Sequence, residues 1–413
     1  MPQYQHNHYV PEWYQKNFIP SDITDSNIYY LRLKPEEFRD SKGKVHYASP
    51  LKHWSPSRCF AVDDLYTARF SGLESREIER LFFGAIDTNG KNAVDHFANY
   101  QYPDWRGEPV SDLVQYMCTQ RMRTIKGLDW LSDQTGLRDT NAILRKMVEL
   151  RDVFSAIWLE CVWQIADASE SNTKFIFSDH PITIYNRELG PSNPTWCKGF
   201  RDPDIRMVGS HTIFPLTLDK VLILTNLALA RNPYQSAKNM RPNQGFYRST
   251  AFDFHRLHLN RVLYEEEVKQ INFIIKSRAY AYIGAGKEEW LYPERDVSKS
   301  DWNTYGDGIL CMPDPRSMHY GGELYAGYND GSSWAVDPYG REPGDPMFGK
   351  DDAPEDLTTS PLYRFQGDFA RRFGPNRRGV TLETGELHSG PDTELIHKYH
   401  LTLGVKTSKS SKK

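Results

Sequence analysis

An α+β fold follows from the order in which the chain arranges its periodicities. Apolar residues recur at three- and four-residue helical steps between about residues 74 and 166, and short runs of β-branched and aromatic residues crowd between 175 and 224. Helix-like and strand-like stretches are segregated rather than alternating, which selects α+β over a doubly wound sheet. The 413 residues suffice to bury a core without disulfides, and a 13% aromatic content offsets a hydrophobic fraction of only 39%.

Residues 28–33, Ile-Tyr-Tyr-Leu-Arg-Leu, read as a first strand flanked by polar turn residues, and 65–67 as a second extended piece. A helix is predicted from Glu74, because Ile78, Leu81, Phe82, Ala85 and Ile86 share one face. Residues 110–131 gather Val114, Met117, Cys118, Ile125 and Leu128 on one side, and 140–166 do the same with Leu144, Met147, Phe154, Trp158 and Cys161, with Asp139 as N-cap. Strands are then expected at 175–177, 182–185, 212–214 and 221–224, the last two joined by a turn at Asp219 and Lys220. A final helix over 264–283 carries Val268, Ile271, Ile275 and Tyr282 on its inner stripe. These elements are expected to form a single domain over residues 1–290. The texture of 291–413, rich in Gly, Pro and Tyr and closing on KTSKSSKK, predicts a loop-rich extension with a basic tail, a place for a protein partner.

Charge and cysteine usage exclude several classes. A net charge of −3 supplies no global basic field, so nucleic acid would need a local patch. Five scattered cysteines without a CxxC pair argue against a disulfide framework or zinc ribbon. No apolar run reaches bilayer length, and residues 1–20 lack the features of a signal peptide, so a cytoplasmic protein without membrane contact is expected.

Four strings carry candidate chemistry. His6 and His8 in QHNHYVPEWYQKNF would project from one face of a strand and reach one metal ion, or would divide into a buried and an exposed imidazole. In REIER, Glu77 and Glu79 fall in the first turns of the predicted helix, where a carboxylate either compensates the dipole or, at Glu79, faces a pocket. In TQRMRT, Gln120, Arg123 and Thr124 share a helix face, and a half-buried arginine there calls for a carboxylate or a phosphate. In FSDHP, a strand ends by delivering Asp179 and His180, as functional groups or as a turn with Pro181. His255 and His258 stand at a helical i, i+3 spacing and read as structural. Walker, GxGxxG and GxSxG motifs are absent.

The string HYVPEWYQKNF resembles the opening of the family called domain of unknown function 4238, whose members begin HYVPxxYLxxF. The resemblance continues in order through Leu65-Tyr66-Thr67, Ile78-Glu79, the Gln120 to Thr124 segment, Ser178-Asp179-His180-Pro181, Phe214-Pro215-Leu216 and a late helix, over about residues 4–285. Gln15 replaces the usual leucine, and Ile125 stands where proline often follows Arg-Thr. The resemblance implies that His8, Glu79, Gln120, Arg123 and Asp179 meet in space, while His6 lies outside the firm part of the motif.

The reading that follows is a metal-dependent phosphodiesterase, nuclease or nucleotide hydrolase, serving in defence against mobile elements. His8, Glu79 and Asp179, with His6 optional, would carry catalysis by holding a divalent cation (Mg, Mn or Zn) that activates water, and Arg123 with Gln120 would hold the phosphate of a phosphate-containing substrate or nucleic acid. The alternative is a non-catalytic nucleotide- or protein-binding module with a buried polar network. The two differ in geometry: in the module, the carboxylates are paired to Arg123 and to backbone groups, with no vacant oxygen.

Overall fold

The computed structural model describes residues 6–305 apart from 76–82, 101–107, 231–256 and several shorter stretches, then 324–336 and isolated positions besides. The chain opens with β1 (His6–His8) and α1 (Glu12–Lys16), followed by β2 (Ile28–Arg32). A hairpin of β3 (Glu37–Arg39) and β4 (Val45–Tyr47) leads to β5 (Leu51–Trp54) and β6 (Ala61–Asp63), and a second hairpin joins β7 (Ala68–Phe70) to β8 (Leu73–Ser75). The helical part comprises α2 (Gly84–Ala98), α3 (Glu108–Arg123), α4 (Ile125–Thr135), α5 (Thr140–Glu149) and α6 (Ser155–Leu159). Strands return as β9 (Val162–Asp167), β10 (Phe177–Ser178), β11 (Thr183–Asn186), β12 (Ser210–Pro215), β13 (Lys220–Thr225) and β14 (His258–Val262). Then come α7 (Glu265–Arg278), β15 (Tyr282–Ala285) and a hairpin of β16 (Leu324–Gly327) and β17 (Ser333–Val336). The fold is α+β.

Two sheets organise the body. The larger runs β11-β12-β13-β9-β14, antiparallel except where β14 lies parallel to β9. Its middle strands are buried on both faces, which is why Val221-Leu222-Ile223-Leu224 reads as an unbroken apolar run. The smaller is antiparallel in the order β10-β15-β2-β5, leaving β5 at one edge.

The opening string is tied into this body by its aromatic rings. Tyr14 stacks on Phe214 at 5.6 Å, meets Phe177 edge-on at 5.9 Å, and donates its hydroxyl hydrogen to the Pro215 carbonyl at 2.7 Å. Phe18 packs on Phe177 at 4.5 Å, so α1 bridges both sheets. Gln15, in place of leucine, is fully buried and donates to the carbonyls of Val10 and Cys59. Trp302, Tyr305 and Ile309 join the same hydrophobic cluster.

Several expected elements change. Residues 73–75 form β8, so no helix opens at Glu74; the described part of that helix starts at Gly84, and 76–82 lie outside the described residues. The predicted helix 110–131 is broken at Thr124, whose backbone is extended (ψ 161°) and whose hydroxyl caps α4 by accepting from the Gly127 N–H. Helical periodicity over 140–166 misleads: α5 ends at Glu149, and Val162-Trp163-Gln164-Ile165 instead pair with β13 and β14, where β-forming side chains fill both faces. Asp139 does cap α5, accepting from the Ala142 N–H at 2.8 Å. The last helix stops at Arg278, so Tyr282 leaves its stripe for β15. His258 lies on β14, not on a helix, and His255 is outside the described residues.

Candidate functional site

The site grows from the kink between α3 and α4. Gly127 approaches the end of α3 so closely that a Cβ there would fall 2.1 Å from the Arg121 carbonyl oxygen. This tight joint places consecutive polar residues of TQRMRT in two separate networks.

The first network closes around Arg123. Its guanidinium pairs with both oxygens of Asp87 on α2, at 3.0 and 2.8 Å, and its Nε donates to Gln120 Oε1 at 2.6 Å. The Gln120 amide donates to the Tyr9 carbonyl at 2.7 Å, and the Tyr66 hydroxyl donates to the Arg123 carbonyl at 2.8 Å. Tyr9 of the opening string, Tyr66 and the end of α3 therefore meet. Arg123, only 1% exposed, has a carboxylate partner rather than a free fork.

The second network lies on the other side of the kink. Arg121 donates to the Ile182 carbonyl at 2.7 Å, to His180 Nε2 at 3.0 Å and to Asp202 Oδ2 at 2.8 Å. Because a guanidinium only donates, His180 Nε2 must carry a lone pair, which puts the proton on Nδ1, 2.6 Å from the Thr124 hydroxyl. Lys126 donates to Asp202 Oδ1 and to the Arg278 carbonyl, both at 2.6 Å, and so neutralises the C-terminal end of α7. Arg278 donates to the Leu189 carbonyl and lies over the Trp302 ring at 5.1 Å.

Asp179 holds the turn that follows α7. At the end of β10 it accepts the backbone N–H of Tyr280 at 2.9 Å on Oδ1, and those of Ala281 and Tyr282 at 2.6 and 2.8 Å on Oδ2. Both oxygens are thus occupied by the turn between α7 and β15.

Electrostatics follow from this burial. Burial pushes the Asp179 carboxyl up to about 6, opposed by its three N–H donors and by Lys126. Burial lowers the His180 imidazole to about 3, with Arg121 and Lys126 acting in the same direction against Asp202. Asp202 is held well below the usual carboxylate range, since Lys126 and Arg121 outweigh its burial. A neutral histidine held between an arginine and a threonine serves here as a hydrogen-bonding strut.

The remaining candidates lie apart. His8 is half-buried on β1, its Nε2 3.2 Å from the Ser57 carbonyl and 3.7 Å from Glu12 Oε1. His6 has its backbone in the same strand. Glu77 and Glu79 lie outside the described residues. Among the described residues no group of three or more His, Cys, Asp or Glu side chains is arranged to hold a metal ion. The proposed ligand trio is therefore represented by His8 and Asp179 alone, each with different partners, while Gln120 and Arg123 do come together.

Residues that sequence reading passed over are Arg121, Lys126, Asp202 and Arg278. Arg121 lies inside the recognised string and Lys126 just beyond it, and the signal was their density with Arg123: three cations within six residues at a helix joint. Asp202 sits in an irregular loop and gave none.

No curated protein and no solved structure matches the chain. Among the described residues, no helix is long and apolar enough to cross a membrane. The family resemblance has its match over residues 147–289, which hold Ser178-Asp179-His180-Pro181 and Phe214-Pro215-Leu216 and fit the model of the family described as Protein of unknown function (DUF4238).

Proposed function

We propose that this protein is a non-catalytic binding module for a phosphate-bearing ligand, a nucleotide or nucleic acid, and that its polar motif residues build the scaffold. The observation that carries this reading is the Asp179 carboxylate, whose two oxygens accept three backbone N–H groups. The same holds for Arg123, closed by Asp87 and Gln120. Groups fixed in this way resist the reorganisation that metal ligation or proton transfer requires. A reducing, cytosolic setting fits the free thiols of Cys59, Cys118, Cys161 and Cys197, with burial pushing those of Cys59 and Cys161 up to about 12, where they are inert.

The deciding experiment incubates the full chain with labelled DNA, RNA and nucleoside triphosphates in Mg, Mn or Zn. Binding without turnover is expected. Metal-dependent cleavage that disappears in His8→Ala, a half-buried position whose loss leaves the core intact, would restore the metal-dependent hydrolase.

A further inference from the structure

We propose that residues 28–58 form the surface on which the module holds single-stranded nucleic acid, an assignment that rests on the binding-module reading above. This stretch runs from β2 through the β3–β4 hairpin to the edge strand β5 and the turn after it. It carries seven lysines and arginines against three acidic residues, a local +4 in a chain of net −3. The local patch that the overall charge demands is here.

The cations of this patch are available. Arg39, Lys42, Lys44, Lys52 and Arg58 form no ion pair among the described residues, whereas Arg121, Lys126 and Arg123 in the interior all have carboxylates. Arg32 has a carboxylate partner, but in an exposed pair, to Glu36 at 2.7 Å, which water and salt weaken. Unpaired cations on a surface are where phosphates displace counterions.

Aromatic rings interleave with these charges. Arg58 lies over the Trp54 ring at 4.5 Å and Lys52 over the same ring at 5.9 Å. Trp54, half-buried, stands across from Ile28 on β2, and Lys52 stands across from Tyr30, whose buried ring backs the patch by stacking on Tyr282 at 4.8 Å. The hairpin adds Phe38 and Tyr47, 52% and 66% exposed, which no core contact explains. Every base has a π-face, so such rings hold bases without reading sequence, and they reach those faces only where the strand is unpaired. Alternating rings and cations along a sheet edge match the alternation of base and phosphate along one strand.

The test is fluorescence anisotropy of the full chain with a labelled oligothymidylate and with a duplex of equal length, over a series of salt concentrations. The single strand should bind, and bind tighter than the duplex. Lys52→Ala with Arg58→Ala should weaken it about tenfold and flatten the dependence of log K on log salt by about one unit. Trp54→Phe should retain binding, while Trp54→Ala should weaken it by at least about fivefold with the salt slope unchanged. Lys52 and Arg58 lie at the edge of the sheet and Trp54 is half-buried beside them, and an unaltered thermal melt certifies the fold of each variant. If oligonucleotide binds but none of these variants changes it, or if duplex binds as tightly, the surface assignment is overturned while the module reading stands. If neither nucleotide nor oligonucleotide binds, both fall.

Discussion

Acid should loosen this protein at His180. The imidazole is 3% exposed and neutral, its Nε2 accepting from Arg121, so protonation would set N–H against N–H beside Lys126. Its folded value of about 3 lies below the ordinary 6.5, and His211, buried against Thr225 with Arg187 and Arg261 near, is likewise lowered to about 3. A base depressed in this way binds fewer protons folded than unfolded, so its contribution is full above 6.5 and is lost as pH falls toward 3. Asp179 acts oppositely: raised from 3.8 to about 6, it destabilises when ionised and restores stability as pH falls through that window. Between about pH 7 and about pH 5 each histidine removes about 2 kcal/mol and Asp179 returns about 1, a net loss of about 3 kcal/mol. That is a sizeable share of the ~5–15 kcal/mol holding a typical domain. His180→Gln keeps an acceptor for Arg121 and removes one titration, so its loss over the same range should shrink to about 1 kcal/mol. Urea midpoints at a series of pH values measure both. Parallel pH profiles for the wild type and His180→Gln would refute the account of His180.

Two further outcomes test the joints of the scaffold. Asp179→Asn leaves one oxygen for three N–H donors and turns an amide toward them, so urea unfolding should reveal a cost of about 3 kcal/mol or more; a change under about 1 kcal/mol would mean that the clamp is not holding the α7–β15 turn. Gly284→Ala would bring a Cβ within 2.6 Å of the Phe177 ring, an overpacking cost of about 1–3 kcal/mol, whereas Gly127→Ala meets the Arg121 backbone carbonyl at 2.1 Å and should cost more; equal losses would show that α3 and α4 can part freely.

Strands with strong local chemistry were legible in the sequence. Ile28 to Arg32, Thr183 to Asn186 and Lys220 to Thr225 appear within a residue or two of where β-branched and aromatic runs place them. Leu73–Ser75 and Val162–Asp167 were not, because strand pairing decided them, the first in a tight hairpin with β7 and the second with the distant β13, and helical spacing of apolar residues does not report such pairing. The pairing of Gln120 with Arg123 was legible in their shared helix face, whereas the contacts of Tyr9 and Tyr66 with that segment were unforeseen. The roles of Gln120 and Arg123 were not legible, since the partners that fix them are Asp87 and backbone carbonyls, groups that leave no pattern in a sequence.

The polar groups of this site sit at joints. Thr124 and Gly127 set the angle between α3 and α4, Lys126 binds the last carbonyl of α7, and Asp179 fixes the three residues that turn α7 into β15. Hydrophobic burial is non-directional and would tolerate sliding of α7 along the sheet, whereas four charge-assisted bonds at its C-terminal end permit one register only. Residue types that suggest catalysis in a linear string are therefore the ones needed to lock a helix end against two sheets. Under the binding-module proposal, recognition would fall to groups outside these joints, and Lys52, Trp54 and Arg58 at the edge of the smaller sheet are such groups.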